Sequence, residues 1–332
     1  MKTIDIHAHI VPESLWRAVS GKQEWHGFKH EAGDGLGTMV GCGMRTVFTS
    51  NKVKYTVEER LKDMDAQKVD MQVLSIHTPF AGYQLDPAQG LALSREFNDE
   101  LSDTAKANPT RLAGLATVPM QNVNFAIEEL ERAVTKLGLK GASLDTSVNS
   151  EQWDDPKFLP FFKAAEQMGA LLFYHPQPQN NFLTDRIKRH GLSNSLGVIL
   201  DDAIITAILV CGGVLEKCPD LKVCIAHGGG VACSTIGRLD RTWHDRPNTR
   251  STPKPPSHYF KKIHYDSAVG SEAELRFMID HIGIDRIVLG SDWPFVEWHP
   301  SPVEWLQRND LLSAEEKEKI LWKNLVQLLD MK

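Results

Sequence analysis

The chain has 332 residues, of which 42% are hydrophobic and 24% charged, and its formal net charge is −6 at neutral pH. That mixture is ordinary for a globular protein, and the length suits either two domains or one α/β barrel. No basic patch points to nucleic acid or an anionic membrane surface, no apolar run is read as long enough to span a membrane, and no secretory leader is expected.

In chain order, the first element is a strand over Thr3–His9 that continues into Ile10. Residues two apart on a strand share a face, so His7 and His9 are expected on one side, and Ile6, Ala8 and Ile10 on the other. Two imidazoles aimed at one point make half of a metal site, because a catalytic site needs about three or four protein ligands. Residues 12–53 follow, too long for a simple loop and carrying Gly33, Gly35, Gly37, Gly41 and Gly43. They are read as an insertion, a small hairpin over the mouth of the fold. Further strands are expected at Val69–Ile76, Leu112–Val118, Gly141–Leu144, Leu171–His175, Val223–His227, Ile263–Asp266 and Ile287–Asp292. Amphipathic stretches lie between them at Thr56–Gln67, Gly90–Ala107, Asn124–Leu137 and Lys157–Met168.

Eight buried strands alternating with helices predict a parallel sheet closed into a (β/α)8 TIM barrel, one domain over residues 1–332. There is no G-x-G-x-x-G and no P-loop to favour an open nucleotide-binding sheet. A second long loop is expected from about Pro176 to Leu200, a polar loop over Asp245–Ser257, and a last helix over Ser313–Met331 capped by Ser313. The five cysteines, Cys42, Cys211, Cys218, Cys224 and Cys233, include no C-x-x-C pair. Reduced thiols in a cytoplasmic setting are therefore expected.

Active sites of such barrels sit at the C-terminal ends of the strands. The first strand ends with His7 and His9, the fifth at His175, the sixth at His227 and the eighth at Asp292. One strand-end histidine is more often a structural hydrogen-bonder than a ligand. Several apolar runs that each stop at a ligand type are hard to obtain from core packing alone. His77 and His264 lie near enough to the expected mouth to support the site from behind.

The pattern of H-x-H, His, His and Asp resembles the amidohydrolase superfamily. Asp5-Ile6-His7-Ala8-His9-Ile10-Val11-Pro12, Ala226-His227-Gly228-Gly229-Gly230 and Leu289-Gly290-Ser291-Asp292-Trp293-Pro294-Phe295 are similar to its aminocarboxymuconate-semialdehyde decarboxylase-like branch, amidohydrolase-related family 2. The likeness extends over essentially the whole chain. It implies one divalent ion, zinc first and manganese as the alternative, held by His7, His9, His175 and Asp292. His227 would be the catalytic histidine beside a metal-bound water, with Asp292 also moving a proton. The fourth strand, Lys140–Asp145, has no lysine at its end, which favours one metal over two. Arg238 corresponds to an arginine that reaches a neighbouring subunit's site and holds a substrate carboxylate, implying a homodimer, and Arg45 matches a second such arginine more loosely. The segment His190–Gly197 departs from the branch in lacking tryptophan, so the substrate can differ. The expected activity is decarboxylation of a small unsaturated or aromatic acid; hydrolysis of a lactone or cyclic amide, or hydration of a carboxylated dienol, would use the same residues.

Overall fold

The computed structural model describes residues 2–177, 184–296 and 298–331. In chain order its strands are β1 (Ile4–Ile10), β2 (Lys29–Glu31), β3 (Thr38–Gly41), β4 (Met44–Val47), β5 (Met71–Ile76), β6 (Leu112–Gly114), β7 (Gly141–Leu144), β8 (Leu171–Tyr174), β9 (Lys222–Ile225), β10 (His264–Asp266) and β11 (Ile287–Val288). β1, β5 and β6 form one parallel group and β7 to β11 another. Two seams join the groups. At the first, the Ala116 N–H donates to the Gly141 carbonyl at 2.8 Å and the Ser143 N–H to the Ala116 carbonyl at 2.9 Å. At the second, the Ile6 N–H reaches the Leu289 carbonyl at 3.0 Å and the His9 N–H the Trp293 carbonyl at 2.7 Å. The sheet is thereby closed, and the chain is a (β/α)8 barrel.

The barrel strands are largely buried on both faces, which is why they read as nearly continuous apolar runs. Ile4, Ile6, Met71, Val73, Leu115, Leu171, Phe173, Cys224, Ala226 and Val288 fill the interior, and Leu325, Leu328 and Leu329 close it from the C-terminal helical segment. Outside the barrel wall, Ala8, Leu74, Leu172 and Tyr174 join the larger core beneath the helices. Ile6 thus faces inward, against the simple alternation expected. The cause is a β-bulge: Asp5 pairs with Gln72 but Ala8 with Leu74, so β1 carries one residue more than β5 over that span. Asp5 supports the kink, its Oδ1 accepting from the His7 N–H at 3.0 Å.

The insertion is a three-stranded antiparallel sheet of β2, β3 and β4, where a two-stranded hairpin was expected. Its tight turn at Cys42-Gly43 has φ of +52° and +75°, the double positive that matches the twist of two-residue hairpins. Two expectations around the fifth loop are corrected. The long loop is shorter than read, because residues Ser193–Cys211 are helical. That stretch is 19 residues long and apolar enough to cross a membrane by length and composition, but half of it is buried within the protein. Its Asp201 and Asp202 are both buried. Two other helices start where capping chemistry places them: Thr56 with Glu59 and Ser313 with Glu316 form capping boxes.

Candidate metal centre

The bulge sets the first two groups. Having placed Ile6 inside, it places His7 inside as well, and alternation then brings His9 to the same face. His175 follows β8, its N–H bonded to the Leu144 carbonyl at 2.8 Å. His227 follows β9 and Asp292 follows β11, and both hold left-handed backbone angles, φ +48° and +58°. Non-glycine residues in that region cost on the order of 1–3 kcal/mol each and persist where the surroundings over-determine them. Gly230 shows how close those surroundings are. Its φ is +57°, and a Cβ there would lie 1.8 Å from the Ile199 carbonyl oxygen. Only glycine lets the loop after His227 reach the helix Val198–Cys211, which carries Asp202.

The five groups converge. Ligand atoms of His7, His175, His227 and Asp292 all lie within 4.8 Å of one another. The His9 Nε2 adds to them, 3.1 Å from the His7 Nε2 and 3.2 Å from the Asp292 Oδ1, and the His7 Nε2 is 3.3 Å from that same oxygen. The His227 Nε2 stands farther off, 3.8 Å from the Asp292 Oδ2. His7 and His9 are sealed from solvent, whereas His227 and Asp292 remain 13% and 14% exposed and so face the mouth.

A metal would find two of these imidazoles already oriented. The His7 Nδ1 is bonded to the Asp266 Oδ2 at 2.6 Å and the His175 Nδ1 to the Pro176 carbonyl at 2.8 Å. Each bond turns the Nε2 inward, as outer partners of metal ligands do. The His175 Nε2 is buried without a hydrogen-bond partner among the described residues. An orphaned acceptor aimed at a carboxylate and three other imidazoles fits a divalent cation. Electrostatics agree. Burial opposes charge on His7, yet Asp292 and Asp266 raise its pKa to about 9. Burial likewise opposes the Asp292 carboxylate, but His7, His227 and His9 hold it well below the usual range. Burial and the neighbouring His9, His7 and His227 push His175 far down, and burial lowers His9. The cluster therefore attracts positive charge that protons share out unevenly.

Behind His227 lies a group that strand ends did not reveal. The Asp202 Oδ2 is 2.9 Å from the His227 Nδ1. Burial lowers the His227 pKa, but Asp202 and Asp292 together keep it well above the ordinary value. Asp266 was missed differently: it ends β10, so reading the seventh strand end like the others finds it. It also accepts from the Gly228 and Ala268 N–H groups at 3.1 and 3.0 Å, tying the His7 support to the loop after His227.

The remaining candidates fall elsewhere. His77 lies at the mouth, its ring 5.8 Å from His9 and 4.5 Å from Phe295, with burial lowering its pKa to about 3. His264 opens β10 and so sits at the opposite end of the strand from Asp266, away from the mouth where it was expected. Arg45 is on β4, 63% exposed, with its Nη2 on Glu31 at 2.8 Å. Arg238 is exposed on the helix Ala232–Asp245.

Imidazoles and a carboxylate converging at the C-terminal mouth of a closed barrel define a metal-dependent barrel enzyme. Comparison with known proteins narrows the class. The amidohydrolase family model matches residues 4–330. The chain is 31% identical over 333 residues to 2-amino-3-carboxymuconate-6-semialdehyde decarboxylase of Dictyostelium discoideum, covering 99% of this chain and 91% of that protein. Among solved structures, 5-carboxyvanillate decarboxylase from Sphingomonas paucimobilis superposes with a TM-score of 0.85 at 23% identity, over 100% of this chain and 99% of that one. A dihydroxybenzoic acid decarboxylase from Polaromonas sp., solved with manganese and the inhibitor 2-nitroresorcinol, gives a TM-score of 0.78 at 21% identity, over 99% and 97%. The chain belongs to the amidohydrolase family, in its aminocarboxymuconate-semialdehyde decarboxylase-like branch.

Proposed function

We propose that this protein is a metal-dependent decarboxylase, a carbon–carbon lyase acting on a small unsaturated or aromatic carboxylic acid. The observation that carries the proposal is a His/Asp donor cluster whose His227 is backed by the buried Asp202, in a chain whose curated relative at 31% identity is a decarboxylase. His7, His9, His175 and Asp292 are assigned as the ligands. The two sealed imidazoles point their Nε2 atoms at one Asp292 oxygen, while His227 stands at its other oxygen, nearer the mouth.

A divalent ion held there supplies an anchor for the substrate oxygens and lowers the pKa of water. The chain's own groups do the rest. Asp202 fixes the Nδ1–H of His227, leaving Nε2 to hold or deliver a proton at the mouth. That proton adds to the carbon bearing the carboxylate, the carbon–carbon bond breaks, carbon dioxide leaves, and the electron pair of the broken bond stays with the substrate and restores its conjugation. Phe295 and His77, partly exposed with their rings 4.5 Å apart, form an aromatic wall beside His9, backed by the buried Phe48 and Phe80. A planar conjugated acid suits such a wall.

Zinc is the first assignment and manganese the alternative, since three imidazoles and one carboxylate suit either ion. The protein is proposed to act as a homodimer. The exposed Leu196 and Ile204, on the helical stretch Ser193–Cys211 that packs against the helix bearing Arg238, support a subunit face there. A cytoplasmic location is proposed from the five cysteines, all free thiols. Hydrolysis and hydration remain competing uses of the same site.

Incubating zinc- or manganese-loaded protein with 2,6-dihydroxybenzoate, 5-carboxyvanillate or the aminocarboxymuconate semialdehyde should release carbon dioxide from at least one. Lactone or cyclic-amide hydrolysis, with no carbon dioxide from any carboxylate, would remove the decarboxylase reading.

A further inference from the structure

We infer that the helix Val57–Ala66 positions the metal centre, through Arg60 and Asp63, which hold Trp293 from two sides and thereby fix Asp292 and His9. Residues three apart share a helix face, and here that face meets the barrel seam between β1 and the segment after β11. The Arg60 guanidinium lies 3.8 Å over the Trp293 ring. The Trp293 Nε1–H donates to the Asp63 Oδ2 at 2.6 Å, and the Lys52 Nζ holds both Asp63 oxygens at 2.9 and 3.0 Å.

Arg60 is buried, although burial pulls its pKa down to about 9. Burying a cation there is costly unless it is hydrogen-bonded, and two of its nitrogens have acceptors. The Arg60 Nη2 donates to the His9 carbonyl at 2.7 Å and the Nη1 to the Gln72 Oε1 at 2.9 Å. The Gln72 Nε2 in turn reaches the Asp5 Oδ2 at 3.4 Å. Both ends of the His9 residue are therefore tied: its N–H to the Trp293 carbonyl and its carbonyl to Arg60.

Asp292 is held in the same way from its two neighbours. Before it, the Ser291 hydroxyl donates to the Asp5 Oδ2 at 2.6 Å; after it, Trp293 is gripped by Arg60 and Asp63. Asp292 keeps its left-handed φ because both flanking residues are fixed. Arg60 touches neither substrate space nor any ligand side chain, so it is a positioning residue. A planar fork is what the arrangement needs, because two donors at fixed separation bridge β1 and β5 while the same plane covers an indole.

The inference rests on the metal reading above, and the test separates the two. Metal-stripped full-length protein is titrated calorimetrically with zinc and with manganese, as wild type, Arg60→Lys, Arg60→Met and Trp293→Phe, with circular dichroism and thermal melts of each metal-free form. Both Arg60 variants are expected to bind metal tenfold or more weakly, because lysine restores charge without the fork. Trp293→Phe, which keeps a ring but loses the tether to Asp63, is expected to bind threefold or more weakly. Smaller shifts, or rescue by lysine, overturn the inference, and a lowered melting temperature with unchanged affinity marks Arg60 as merely structural. Should Arg60→Met not fold, the other two variants decide. Wild type that binds neither ion overturns the metal reading and this inference together.

Discussion

Asp202→Asn separates the two roles His227 could play. Asp202 is fully buried, and its Oδ1 has no partner among the described residues. Its hydrogen bonding to a side chain is directed at the His227 Nδ1, 2.9 Å away. The amide keeps the shape and removes the charge. A hydrogen bond to a charged partner contributes about 1.5–3 kcal/mol, which at 1.4 kcal/mol per decade is roughly 10- to 150-fold. The expected result is therefore a fall in kcat of about that size on whichever carboxylate releases carbon dioxide. KM should move little, and metal content should be unchanged, because Asp202 contacts no other member of the cluster. The assay is carbon dioxide release at saturating substrate, paired with metal analysis of the same preparation. A folded variant with kcat within twofold of wild type would refute the claim that the charge behind His227 assists proton transfer. Loss of metal at constant fold would instead make His227 a ligand.

Two further outcomes follow from the same geometry. In the metal-free protein the His7 pKa is raised from 6.5 to about 9. The imidazolium's stabilisation is then fully present below pH 6.5 and lost as pH rises through 9, on the order of 3 kcal/mol. Bound metal takes the place of that proton, so thermal melts between pH 6.5 and 9 should fall steeply without metal and stay flatter with it; equal slopes would contradict the placement of His7 among the ligands. Gly230→Ala should lose more than about 1 kcal/mol in urea melts, because a side chain at positive φ must also displace the Ile199 carbonyl 1.8 Å away. A neutral effect would mean that the loop after His227 can shift without cost.

Most of the barrel was legible because burial on both faces writes itself into sequence as β-rich apolar runs. The polar residues that end those runs marked His7, His9, His175, His227 and Asp292, and all five meet at one mouth. What escaped was set by geometry that no period encodes. Ile6 was assigned the wrong face because a bulge breaks the alternation, and only the pairing with β5 shows it. Asp202 sits in an apolar helical run, where an acidic residue carries no signal until the fold brings His227 to it. Arg60 reads like any helix-surface arginine, yet it is buried under an indole that lies more than two hundred residues further along the chain. His264 shows the converse: a histidine on the right strand, at the wrong end of it.

The extra residue in β1 has a consequence for how the site keeps its dielectric low. A regular strand would offer one inward side chain for every two residues, so a pair of ligands would leave its next inward position a full step below. Here Ile6 and His7 are both inside, and Phe173 lies edge-on to the His7 ring at 5.3 Å between centroids. The donors consequently rest on a hydrocarbon floor, while the partly exposed His227 and Asp292 face the mouth. Shortening β1 by that one residue would do more than misplace a ligand, because it would remove either the floor or the donors standing on it.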